Sequence, residues 1–190
     1  MKAKNAVKSI KSDRTRAQIL AAAQALFSER GYDNTTIRDV AARALIDPAM
    51  VMRYFRTKDE LFGRAAAIDL RLPALKTSEA DKIGETLIRH FLDLWEGSGR
   101  GMTIMLRSAT SNEFAAEKVR EVFAKQVGPL IASVGRESTA PRRAGLISSQ
   151  LLGLALCRYI LKLPPVVSLS REDLVAHVGP VLQRYAMDEV

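Results

Sequence analysis

Six cations, Lys2, Lys4, Lys8, Lys11, Arg14 and Arg16, stand near the start of the chain with only Asp13 against them. They carry +5 of the net charge of +8. A second group follows between Thr36 and Lys58. It comprises Thr36, Arg38, Ala49, Met50, Met52, Arg53, Tyr54 and Lys58. These are hydroxyl, guanidinium and ammonium donors beside short or flexible apolar side chains. None is a nucleophile set against a base. The chemistry they offer is the holding of anionic oxygens, as in a nucleic acid or an anionic membrane surface. Charge by itself does not choose between the two.

Other chemistries lack their residues. His90 and His177 are the two histidines and Cys157 is the one cysteine. No Gly-x-Ser-x-Gly, Walker A or His-Glu-x-x-His pattern occurs. Gly97-Ser98-Gly99 is glycine-rich, but it follows a helical pattern rather than a strand, so it is a poor phosphate cradle. No enzyme, metal site or cofactor is expected. One cysteine makes no intrachain disulfide, which fits a reducing cytoplasm. At 190 residues with 47% hydrophobic and 26% charged, the chain is an ordinary globular protein of one or two domains. Its longest apolar stretch, Leu151–Leu163, is short and carries Arg158 and Lys162, so no membrane span is expected. The lysines before Ala17–Phe27 mimic a secretion signal. That run, however, contains Gln18 and Gln24 and keeps its helical period into Glu29 and Arg30.

The elements that must position the polar group are helical. Residues 1–11 lack a core pattern and read as a flexible basic arm. A helix is expected from Ser12, with Ile19, Leu20, Ala23, Leu26 and Phe27 on one face and Gly31 past its end. Thr36-Ile37-Arg38-Asp39 has the form of a capping box and opens a short helix to about Ala44. Asp47-Pro48 caps a second short helix to Tyr54. Thr57-Lys58-Asp59-Glu60 opens a third, expected to run to about Leu72 before Pro73. Beyond lie five longer periodic stretches, the last opened by the Ser170–Asp173 capping box. The fold class is all-α, about nine helices: an N-terminal helix-turn-helix domain and a C-terminal helical domain. The expected boundaries are 1–11, 12–57 and 58–190.

Two short helices joined by a tight turn form a unit whose second helix can enter a major groove. Val51 and Phe55, four apart, would anchor that helix. Ala49, Met50, Met52, Arg53 and Tyr54 are left to reach DNA.

Residues 14–62 resemble the DNA-binding domain of the tetracycline-repressor (TetR) family of bacterial transcription regulators. The resemblance is carried by Ala25-Leu26-Phe27 with Gly31-Tyr32, by Thr35–Ala41, by Val51–Phe55 and by Lys58–Phe62. Residues 84–186 are similar to the family's ligand-and-dimer domain in length and helical pattern. Gly145–Tyr159 and Val178–Tyr185 also resemble the C-terminal domain of some actinobacterial members. The resemblance implies a homodimer on a palindromic double-stranded DNA operator, usually as a repressor, released by a small-molecule effector. By position it implies a phosphate contact at Thr36 and a base or phosphate contact at Arg38. It further implies backbone contacts from Tyr54 and Lys58, with Ala49 and Arg53 facing the groove. Arg14 and the basic arm would add phosphate contacts. Three positions depart from the pattern. Leu45 stands where glycine is usual, so a left-handed turn there is strained or altered. Met52 replaces a tyrosine and loses a phosphate donor. Asp47 replaces a serine or threonine cap.

Phe91, Trp95, Met102, Met105, Phe114 and Phe123 are the expected effector lining, which makes the effector largely apolar. Gly145, Ser149, Gly153 and Cys157 form a stripe of small side chains. With Val178, Leu182 and Tyr185 they are the expected dimer surface, as a four-helix bundle across a twofold axis. The alternative is a non-specific DNA-binding protein without effector control.

Overall fold

The structure, a computed structural model, describes residues 2–67, 69–75, 77–98 and 100–187; the side chains of 2–11, 77–79, 98 and 100 lie outside that description. Its regular structure is helical, with no strand among the described residues. The chain forms two compact units. The first is Met1–Ala67 with Arg100–Lys118, and the second is Ile68–Gly99 with Val119–Val190.

In the first unit, α1 (Lys2–Arg30) packs on α2 (Ile37–Ala44) and α4 (Lys58–Ala65), and α2 on α3 (Pro48–Tyr54). Ile19, Leu26, Phe27, Val40, Val51, Phe55, Leu61 and Phe62 close the core. Phe27 and Tyr32 each meet Phe62 edge-on with ring centroids 5.0 Å apart. From later in the chain, α6 (Arg100–Ser108) and the start of α7 (Glu113–Val122) complete this unit. Ile104 and Met105 are buried, and the Phe114 ring lies 6.3 Å from Phe62.

Three expectations shift here. The helix does not begin at Ser12 after a flexible arm but runs back to Lys2. Residues 2–11 contain no proline or glycine, and their alanines and lysines favour helix. Next, α4 ends at Ala65 rather than near Leu72. The Leu70 N–H donates to Gln126 Oε1 at 2.8 Å, and the Leu70 carbonyl meets His90 Nε2 at 2.7 Å. Partners distant in sequence satisfy this backbone in place of a further helical turn. Finally, α4 packs with α1 in the first unit, so the division expected after residue 57 falls later, beyond Ala65.

The second unit is built on α5 (Ile83–Ser98) against α11 (Arg171–Met187). The contact is close because both helices carry glycine there. A Cβ on Gly84 would overlap the Gly179 carbonyl oxygen. Gln183 Oε1 accepts from the Gly84 N–H at 2.8 Å, and its Nε2 donates to the Ala80 carbonyl at 2.6 Å. Arg171 bridges Asp93 and Glu96, each at 2.5 Å.

Two short segments add to the nine expected helices: α8 (Gly128–Ala132) and α10 (Pro164–Val167). A π-helical turn, Phe123–Val127, leads into α8, where Pro129 lacks the N–H that an α-turn needs. A second π turn, Leu156–Ile160, extends α9 (Ala140–Ala155). Arg143 of α9 is 1% exposed. Its guanidinium donates to the carbonyls of Ala186 (2.5 Å), Arg136 (2.8 Å) and Ile131 (3.3 Å), tying α9 to α11 and α8. No described helix is long and apolar enough to cross a membrane.

Candidate nucleic-acid interface

The two short helices are fixed by local chemistry. Thr36 caps α2 as a full capping box. Its Oγ1 accepts from the Asp39 N–H at 3.1 Å, and Asp39 Oδ2 accepts from the Thr36 N–H at 2.8 Å. The Thr36 hydroxyl also donates to Asp39 Oδ2 at 2.6 Å, and this bond, with that from the Thr36 N–H, holds the Asp39 carboxyl below the usual carboxylate range. At the other end Leu45 adopts φ 54°, ψ 44°. Its N–H reaches the Ala42 carbonyl at 3.2 Å, and the Ile46 N–H reaches Ala41 at 3.0 Å. That is a Schellman ending built on leucine where glycine is the low-strain residue. Of the two outcomes open for Leu45, the left-handed turn is kept and carries the strain; the side chain is 93% exposed.

Asp47 then caps α3, its Oδ1 accepting from the Ala49 N–H at 2.7 Å, with Pro48 in the first turn. Val51 and Phe55 are fully buried and anchor the helix. Arg16 of α1 lies over the Phe55 ring at 5.6 Å. The opposite face carries Ala49, Met52 and Arg53, all exposed, with Met50 half-buried beside them. Neither Arg53 nor Arg38 on α2 makes a polar contact among the described residues, so both guanidiniums point donors to solvent.

The remaining expected contacts are partly engaged within the chain. Tyr54 Oη donates to Ser12 Oγ at 3.3 Å, joining α3 to α1. Lys58 Nζ sits 4.1 Å from the centre of the Tyr32 ring and donates to the Asp33 carbonyl at 3.5 Å. Tyr32 in turn donates its hydroxyl to Asp59; burial and that carboxylate push the Tyr32 phenol up beyond its usual range. Arg14 is exposed on α1. The side chains of Lys2, Lys4, Lys8 and Lys11 lie outside the described residues. Ser12 and Tyr32 were not marked as contributors by the sequence. Their roles depend on partners 27 to 42 positions away, and nothing in the local pattern signals them.

The expected effector residues are divided between the two units. Met102, Met105 and Phe114 belong to the first unit, where both methionines are buried. Phe91 and Trp95 belong to the second, and Phe123 starts the π turn after α7. Tyr159, which sequence reasoning passed over, stacks on Trp95 with ring centroids 4.9 Å apart and planes at 7°; Phe91 lies 5.9 Å from Trp95. The Tyr159 hydroxyl is buried, with no hydrogen-bond partner of ordinary geometry among the described residues.

Of the expected dimer residues, Gly145, Ser149 and Gly153 are exposed on α9. A Cβ on either glycine would meet nothing within 4 Å. Leu152 and Leu156 are exposed beside them at 40% and 38%, and Cys157 is half-buried. Val178 and Tyr185 are half-buried too. Leu182 is a correction: it is 0% exposed, inside its own chain. The close approach of α5 and α11 at Gly84 and Gly179 turns that face of α11 inward.

Comparison with known proteins agrees with this geometry. Residues 19–65 match the family model "Bacterial regulatory proteins, tetR family", and 81–186 match "Tetracyclin repressor-like, C-terminal domain". HTH-type transcriptional repressor Rv3405c of Mycobacterium tuberculosis is 43% identical over 89 residues, which is 40% of this chain and 46% of that protein. The chain thus spans a little under half the length of this curated relative. A TetR-family regulator from Streptomyces coelicolor A3 superposes with a TM-score of 0.65 at 29% identity, covering 93% of this chain and 96% of the other. The structure of a SmeT–triclosan complex shares the fold with a TM-score of 0.67 at 21% identity, covering 93% of each. With one model covering the helix-turn-helix and another the greater part of the rest, the chain belongs to the tetracycline repressor (TetR) family of bacterial transcription regulators.

Proposed function

We propose that this regulator acts in the cytoplasm as a repressor, a homodimer on a palindromic operator, released when a small, largely apolar molecule binds its C-terminal domain. The observation that carries the DNA reading is α3 itself. Its inner face is locked by two fully buried anchors, Val51 and Phe55, while Ala49, Met52 and Arg53 remain exposed. A helix held this way presents its outer side chains to base edges on a backbone that is already ordered. Thr36 starts α2, whose N-terminal amides can face a phosphate, and Arg38 and Arg14 supply charge. Lys58 reaches a phosphate by leaving the Tyr32 ring. A dimer is supported by the open small-residue stripe Gly145, Ser149 and Gly153 with the exposed Leu152 and Leu156 along one edge. The effector reading is supported by the Phe91, Trp95 and Tyr159 rings, an apolar cluster in which Trp95 stacks on Tyr159 and Phe91 is tilted against both, with the buried Tyr159 hydroxyl at its edge. SmeT, similar to this chain in fold, forms a complex with triclosan.

The test is selection from a randomised duplex pool, followed by footprinting on the enriched site. A two-armed palindrome protected on both arms is expected, with Arg53→Ala weakening binding at least tenfold. Enrichment of no sequence would overturn the operator reading.

A further inference from the structure

Resting on the operator reading above, we infer that α3 reads thymine methyl groups through Met52 and Ala49, with one guanine fixed by Arg53. On an α-helix, positions 49, 52 and 53 fall within about 100° of one another, and Val51 and Phe55 point the other way. The structure bears this out: the first three are exposed and the last two fully buried. Of the seven residues of α3, Pro48–Tyr54, only Arg53 and Tyr54 carry a polar side chain. Tyr54 is turned to Ser12 on α1. Arg53 is therefore the one hydrogen-bonding reader that the helix presents, and its fork matches guanine O6 and N7. Neighbouring positions present a thioether and a methyl.

In the major groove, three of the four bases offer hydrogen-bonding groups alone, and thymine adds a 5-methyl group. An apolar side chain set against an amide or carbonyl edge leaves that edge without its water. Against a thymine methyl it buries apolar surface on both sides. Met52 is 42% exposed and unbranched, so it has surface to bury and the freedom to fit. Ala49 is short, which brings the α3 backbone close to the groove floor. Asp47 supports the same assignment. Its carboxylate is spent on the Ala49 N–H at 2.7 Å, so it caps the helix rather than reading cytosine.

Removing single methyl groups from the DNA tests this. Once an operator has been selected, each thymine is replaced in turn by deoxyuridine, which keeps every hydrogen bond and deletes the 5-methyl. Affinity of the full-length protein is then measured for wild type, Met52→Ala and Ala49→Gly. At least one thymine in each half-site is expected to give a three- to tenfold loss as uracil. For Met52→Ala that loss should shrink to less than twofold at the thymine Met52 touches. Seven-deazaguanine at the half-site guanine should weaken wild type and leave Arg53→Ala unchanged. A selected operator with a flat uracil scan overturns this inference and leaves the operator reading standing. So does a uracil loss that is the same size in both Met52→Ala and Ala49→Gly as in wild type. A pool that enriches nothing overturns both.

Discussion

Leu45 holds a left-handed backbone with its side chain in solvent, so nothing offsets the steric cost of its Cβ. That conformation costs a non-glycine residue about 1–2 kcal/mol. Leu45→Gly removes it and returns part as chain entropy, so a net gain of about 1 kcal/mol is expected in chemical denaturation. Arg143 is the opposite case. It is buried and donates to four acceptors on α8, α11 and the segment between α8 and α9. Arg143→Met keeps much of the volume and strands those carbonyls, for an expected loss of about 2–4 kcal/mol. Asp39 sets a pH dependence. Its carboxyl lies below the usual range in the folded chain because Thr36 donates to it. The stabilisation is therefore present above the unfolded-state pKa, about 4, and is lost as pH falls through the lower folded value. The stability deficit of Asp39→Ala should accordingly shrink on acidification, as measured by urea midpoints at stepped pH. Asp173, held down in the same way by Ser170, is expected to behave alike.

At the scale of elements, one helix contains both extremes of glycine. A side chain at Gly84 would overlap the backbone of α11, whereas a side chain at Gly97 would meet nothing within 4 Å. Gly84→Ala is expected to cost about 3 kcal/mol or more, because neither backbone can yield without parting α5 from α11. Gly97→Ala should stabilise by up to about 1 kcal/mol through helix propensity alone. Thermal melts of the two variants with matched chemistry separate packing from propensity. The same contrast explains what could be read from the sequence. The starts of α2, α3, α4 and α11 were legible because Thr36, Asp47, Thr57 and Ser170 cap within three residues of themselves. The outer face of α3 was legible because Val51 and Phe55 set its period. The end of α4 was not, since Leu70 finds its partners at Gln126 and His90. Leu182 was misplaced because a helix apolar on two sides does not reveal which side its own chain covers. Tyr159 was missed because the ring it stacks on lies 64 positions earlier, and π turns carry no local pattern.

At the scale of the whole molecule, the proposed dimer links stability, charge and recognition. Gly153 is exposed, and a side chain there would touch nothing in its own chain. Gly153→Trp should therefore fold, with helicity at least equal to wild type, since glycine is the weaker helix former by a few tenths of a kcal/mol. Against a second copy the same indole occupies the space that the small-residue stripe leaves for an approaching backbone. The expected result is a folded monomer by sedimentation. Its DNA binding then has a signature that general damage lacks. The slope of log affinity against log salt is about −0.9 per phosphate neutralised. A monomer on one half-site neutralises half as many phosphates, so its slope should be half that of wild type while its preferred half-site sequence stays the same. It also loses the linked second arm, which multiplies affinity by roughly 10² or more. A Gly153→Trp protein that sediments as a dimer and keeps the full slope would place the twofold contact on another surface of the second unit.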